Sequence, residues 1–144
     1  WGKHTTFERS LRSVLMMRAP GMNAPGQSTS GLVETLDIYP TLADYAGLDA
    51  PAQLTGVSLR PLLEDPTHRG KDAAFGYWRD RYTMRTDRYR LVRLEDPGDG
   101  PRYELFDHQV DPNETVNVAA EHPEIIANLK TQFEAEQPKL IPSD

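Results

Sequence analysis

From Ala74 to Asp107 the apolar residues come in short, aromatic-rich runs broken by turn formers, a pattern that admits little besides antiparallel strands. Ala74-Phe75-Gly76-Tyr77-Trp78 is the first run. Tyr82-Thr83-Met84-Arg85 and Tyr89-Arg90-Leu91-Val92 flank Thr86-Asp87-Arg88, which reads as a tight hairpin. Glu95 to Pro101 has strong turn chemistry, and Tyr103-Glu104-Leu105-Phe106-Asp107 is the next strand. Asp111-Pro112-Asn113-Glu114 is a turn, and the acidic run Asp107 to Glu114 is not a calcium loop, because the glycine and ligand spacing of such a loop are missing. Pro123 then suits the first position of a helix. Ile125, Ile126, Leu129 and Phe133 give that helix one apolar face. Pro138 and Pro142 predict an extended tail. A one-sided sheet and a one-sided helix need each other, so the expected class is α+β, with a small antiparallel sheet packed by a C-terminal helix.

The first half has a different grammar. Phe7 and Leu11 can share the face of a short helical turn. Val14-Leu15-Met16-Met17, closed by Pro20-Gly21, reads as a strand buried on both faces. Two helices follow. Asp37 is the expected N-cap of the first, which passes Leu42 and Tyr45 and stops at Gly47. Ser58 is the expected cap of the second, which Pro66 ends. Residues 65–72 are polar and rich in turn formers. The expected division is therefore 1–66 and 67–144.

Composition removes whole classes of function. The net charge of −6 argues against nucleic acid as a partner, because phosphate binding needs a basic surface. No apolar run reaches the length of a membrane-spanning helix, so no membrane role is expected. The chain has no cysteine, which excludes disulfides, thiolate metal sites and cysteine nucleophiles within it. Trp-Gly-Lys-His at the start reads as the middle of a longer protein.

Several stretches together resemble the sulfatase family of the alkaline-phosphatase superfamily. Trp1-Gly2-Lys3-His4-Thr5-Thr6-Phe7-Glu8 is similar to the family segment that follows an Asp-His metal-binding strand end, most of all in the iduronate-2-sulfatase branch. Leu15 to Gly21 resembles the next family strand. Leu36-Asp37-Ile38-Tyr39-Pro40-Thr41-Leu42 and Leu54-Thr55-Gly56-Val57-Ser58-Leu59 resemble two signature segments. Arg85 to Arg90, Tyr103 to Asp107, Asp111 to Glu114 and Asn117-Val118-Ala119 resemble the closing hairpin, strand and turn. The resemblance covers nearly the whole chain in order. One departure is Ser13-Val14 after Arg12, where the family usually has Val-Pro.

The resemblance implies a sulfuric ester hydrolase acting on a sulfated carbohydrate. It implies a formylglycine nucleophile and a calcium or magnesium ion in the full-length parent, and a periplasmic or secreted location. Formylglycine arises within a Cys/Ser-x-Pro-x-Arg motif, which this chain does not contain. The family's metal-binding carboxylates lie upstream. The expected partner is the remaining N-terminal part of the same protein. The isolated segment is expected to be inactive and to self-associate through residues 14–17. By the resemblance, Lys3 is the catalytic and substrate-binding residue that contacts the sulfate oxygens and helps the leaving group. His4 either contacts the sugar or its carboxylate, or packs beside Lys3. No metal ligand is assigned.

The arginines at 79, 81, 85, 88, 90 and 93 form a basic cluster. It reads as a solvated face balanced by Asp80, Asp87 and Glu95, with contact to a sulfated glycan as the alternative. His68, His108 and His122 fit no metal spacing and read as turn and cap residues. Two other functions stay open. One is a phosphonate monoester hydrolase or phosphodiesterase of the same superfamily. The other is a free-standing α+β binding module, which would be a clean monomer.

Overall fold

The computed structural model describes the backbone of residues 3–140 and the side chains of residues 3–136. Trp1, Gly2 and the expected extension at Pro142 lie outside the described residues. The chain divides into two compact units. One comprises residues up to Ser13 together with those from Phe75 onward; the other runs from Val14 to Ala74.

The first unit is built on a sheet of strands β1 (Ala73–Trp78), β2 (Arg81–Thr86), β3 (Tyr89–Leu94) and β4 (Arg102–Asp107), ordered as in the sequence. β2 and β3 are antiparallel, with Thr83 opposite Val92 and Arg85 opposite Arg90. β3 and β4 are also antiparallel, with Arg90 opposite Phe106 and Leu91 opposite Leu105. Alternation along the strands therefore makes two faces. Val92, Leu94 and Phe106 lie on one, and Phe7 packs against them. Its ring meets that of Phe106 edge-on at 5.5 Å. Met84, Leu91 and Leu105 lie on the other face and are fully buried. Helix α4 (Pro123–Leu140) covers that face, with Phe133 buried and Lys130 over the Tyr103 ring. Each such side chain contributes about 1.5–3 kcal/mol through burial. The sheet is thus held between an N-terminal segment, with helix α1 at Glu8–Leu11, and a C-terminal helix.

The second unit is organised by Asp37. A 3₁₀ turn, Thr35–Asp37, leads into α2 (Ile38–Tyr45), and α3 is Arg60–Glu64. Asp37 stands at the expected N-cap position, but its carboxylate makes no cap bond to α2. Instead it accepts the Glu34 N–H at 2.7 Å and the Val57 N–H at 2.9 Å, and it pairs with Lys71 at 2.6 Å. Ser58 is likewise displaced by one residue: Leu59 holds the cap position of α3, while the Ser58 hydroxyl accepts the Arg60 N–H at 3.2 Å. Gly47 ends α2 as expected, with φ +68°. The Leu48 N–H reaches Ala43 O at 2.9 Å and the Gly47 N–H reaches Asp44 O at 3.1 Å, which satisfies the last carbonyls.

Two expectations fail. Residues 14–17 form no strand; Val14 and Met16 are 85% and 87% exposed. A strand buried on both faces needs neighbours on both edges, and the described residues supply none. The tail is also different, because α4 continues through Pro138 to Leu140. Proline in the last turn forfeits one N–H bond, a smaller loss than in a helix centre.

Candidate functional site

Lys3 and His4 stand at the start of the segment that crosses the first face of the sheet. Three contacts fix that segment. Phe7 packs on the apolar patch, Thr6 is completely buried, and the Glu8 carboxylate forms an ion pair with Arg90 of β3. Lys3 itself is exposed, and its ammonium makes only a long bond to the Ser13 hydroxyl at 3.4 Å. Among the described residues it has no carboxylate partner. His4 is exposed at one edge, yet its ring stacks on Trp78 at 4.8 Å and 15°. The two expected site residues are therefore neighbours with different surroundings: a free cation and a stacked imidazole.

A second constellation lies deeper on the same face. Arg90 is 2% exposed. Its guanidinium donates to Glu114, to Glu8 at 2.5 Å and to the Thr83 hydroxyl at 3.1 Å. Glu114 has φ +57° and points its carboxylate inward from the turn after β4. That carboxylate also accepts the Glu8 N–H at 2.7 Å and faces His108 Nε2 at 2.7 Å. Glu8, His108 and Glu114 bring one ligand-type atom each within 4.8 Å of one another. A divalent ion does not fit there, because Arg90 already places a positive charge on both carboxylates. The sequence pattern places Glu114 in a turn and gives His108 a turn or cap role, with no sign of a shared buried partner. The signal available was Arg90, which alternation places inward beside Val92 and which needs a buried acid.

The arginine cluster resolves into two groups. Arg85 faces Glu8 at 3.7 Å, Arg88 binds Asp107 at 2.6 Å, Arg90 binds Glu8 and Glu114, and Arg93 binds Glu95 at 2.8 Å. Of the three acids expected to balance the cluster, only Glu95 does so; Asp80 and Asp87 make no ion pair among the described residues. The solvated-face reading fails for Arg90, because the register turns it onto the face covered by Phe7 and Glu8. Burial lowers the Arg85 pKa, with Glu8 opposing that effect. The hydrogen bond from Arg88 holds the Asp107 carboxyl below the usual carboxylate range, partly offset by burial. Arg79 and Arg81 have no acidic partner among the described residues.

An antiparallel sheet closed by a C-terminal helix, with a lysine-bearing segment on its other face, defines the closing part of an alkaline-phosphatase-like sulfatase fold. The family model described as N-sulphoglucosamine sulphohydrolase, C-terminal, matches residues 1–139, and the chain belongs to that family. Arylsulfatase K of Mus musculus is 33% identical over 142 residues, which cover 88% of this chain and 25% of that protein. A solved structure of BT4656 in complex with its substrate D-glucosamine-2-N,6-O-disulfate superposes with a TM-score of 0.63 at 26% identity, covering 72% of this chain and 23% of the other. Phosphonate monoester hydrolase of Agrobacterium radiobacter superposes with a TM-score of 0.57 at 26% identity, covering 73% and 25%. The chain thus spans about a quarter of the length of these relatives.

Proposed function

We propose that this chain is the C-terminal portion of a sulfatase that hydrolyses sulfate esters of a sulfated sugar. The reaction adds water across the ester and yields an alcohol and inorganic sulfate. The carrying observation is Lys3, an exposed ammonium with no carboxylate partner among the described residues, on a segment anchored by Phe7 and Glu8. An ammonium beside the reacting group stabilises the sulfate oxygens and the charge that grows on the leaving oxygen. His4, held against Trp78, contacts the sugar or its carboxylate. The finer reading is an iduronate-2-sulfatase-like substrate, supported by the Lys3-His4 pair.

The remaining N-terminal part of the same protein supplies the formylglycine nucleophile and the carboxylates that hold calcium or magnesium. When bound, that ion polarises the sulfate. The division at residues 66 and 67 then separates the end of the catalytic domain from the C-terminal subdomain. Residues 1–144 alone do not turn over substrate, and the parent is periplasmic or secreted. In the full-length protein, Lys3→Ala should lower kcat on sulfate esters by about 100-fold or more. An unchanged kcat would end the assignment of Lys3.

A specific observation keeps a second reading in play: the phosphonate monoester hydrolase shares this part of the fold at the same identity as the disulfate-bound structure. Turnover of matched aryl sulfate and aryl phosphonate esters by the full-length protein separates the two. Equal or better phosphonate turnover would favour the second.

A further inference from the structure

The β1–β2 turn lies beside His4, and Arg79 in it and Arg81 just after it have no acidic partner among the described residues. Trp78 ends β1 on the sheet face that the N-terminal segment crosses, and His4 stacks on its indole at 4.8 Å. The guanidinium of Arg79 lies over the same indole, 5.5 Å from the ring centre. Arg79 opens the turn with φ +56° and is exposed. Arg81 starts β2 opposite Leu94, so it belongs to the face that Phe7 covers. Asp80 stands between the two arginines, yet it forms no ion pair with either.

The arginines of the cluster differ in their partners. Arg85, Arg88, Arg90 and Arg93 each face a carboxylate within 4.0 Å or less, as ion pairs of the protein itself. Arg79, which lies over the same indole as His4, and Arg81 at the start of β2 have no such partner among the described residues. A guanidinium laid on an indole loses rotational freedom without losing its charge, since the ring quadrupole attracts it but does not neutralise it. The result is a preset fork of N–H donors that suits a planar or tetrahedral oxyanion.

We infer that the β1–β2 turn reads a second anionic group on the substrate, a carboxylate or a further sulfate, with Arg79 as the principal contact and Arg81 beside it. This rests on the reading of Lys3 as the contact for the reacting sulfate. Trp78 is the positioning residue, because its ring holds both His4 and Arg79.

The test uses the full-length protein and two substrate pairs. One pair is D-glucosamine 6-O-sulfate and D-glucosamine-2-N,6-O-disulfate. The other is a 2-O-sulfated hexuronic acid and its methyl ester. The variants are Arg79→Ala, Arg79→Lys and Lys3→Ala. Arg79→Ala should lower the preference in kcat/KM for the more anionic member of a pair by about tenfold, the scale of one charge-assisted hydrogen bond. Arg79→Lys should restore part of that preference. The pair that responds tells whether the second group is a sulfate or a carboxylate. Where turnover is too slow, calorimetric Kd values for the same pairs replace kcat/KM. A preference unchanged within twofold in both pairs would overturn the inference, and so would failure to bind any of the four sugars. Lys3→Ala tests the underlying reading separately, because it should lower kcat on both members of a pair alike.

Discussion

Glu114 accepts a hydrogen bond from the Arg90 guanidinium and another, at 2.7 Å, from the backbone N–H of Glu8. One carboxylate thereby joins strand β3 to the segment that carries Lys3 and His4. The Arg90 charge is buried, so its partners cannot be removed at small cost. Breaking such a pair leaves an uncompensated charge, an effect of about 3–5 kcal/mol. Glu114→Ala should therefore lower stability by that order in chemical denaturation. Glu114→Gln keeps the shape but loses the charge and should cost less. Amide exchange should rise most in residues 5–11, because the Glu8 N–H loses its acceptor. Uniform exchange across the sheet, with residues 5–11 no faster than β3, would show that Glu114 does not hold the segment.

Gly56 explains a motif that composition alone leaves obscure. A Cβ built there would run into the Leu36 carbonyl oxygen and come within 3.1 Å of the Asp37 nitrogen. These are backbone atoms and cannot swing aside. The close approach lets the Val57 N–H reach the buried Asp37 carboxylate at 2.9 Å. Gly56→Ala must separate the two chain segments and should destabilise the second unit by about 1–3 kcal/mol. Thermal unfolding measures this. Wild-type stability in that variant would mean that the approach is not required.

These two cases mark how far the amino-acid pattern could be read. The sheet was legible because Tyr82 to Arg85 and Tyr89 to Val92 are strand-like runs flanking the turn formers Thr86-Asp87-Arg88, and α4 because Ile125, Ile126, Leu129 and Phe133 repeat at helical spacing. The assignment of Lys3 and His4 rests on resemblance alone, since an isolated lysine has no pattern. Glu114 was not legible as a buried acid, because its partners Glu8 and Arg90 lie 106 and 24 residues away. Side-chain roles set by such distant pairs leave no local period. Residues 14–17 misled for a related reason: their apolar run predicts burial, but burial requires strands that the described residues do not contain.

Asp107 gives a pH dependence with a definite sign. The Arg88 hydrogen bond is the main cause that keeps its carboxyl below the ordinary value of 3.8; burial opposes it and the Gln109 N–H assists. The folded chain therefore holds this proton less tightly than the unfolded chain does. The associated stability is present above the ordinary carboxylate pKa and is lost as the pH falls through the lower folded value. Asp107→Asn should be less stable than the parent sequence at neutral pH, and the two curves should converge in strong acid. Urea unfolding across pH 2–7 measures the gap. A gap that stays constant with pH would assign the effect to packing rather than to the charge.

The exposed run at residues 14–17 bears on the state of the chain in solution. Val14 and Met16 expose most of their surface, and Leu15 is 39% exposed, so the run offers apolar side chains and a backbone that pairs with no strand among the described residues. Extended apolar backbone without a partner is a template for pairing with another chain. The occupant that fits the proposed function is the remaining part of the same protein, whose strands would pair along this run. Without it, a second copy is the nearest substitute. Residues 1–144 should therefore associate as concentration rises, and Val14→Lys with Met16→Glu should return the chain to a monomer without lowering its melting temperature. Light scattering coupled to size exclusion reads the mass directly. A monomer at every concentration would instead favour the free-standing binding module and would weaken the assignment of this run to an interface within a longer sulfatase.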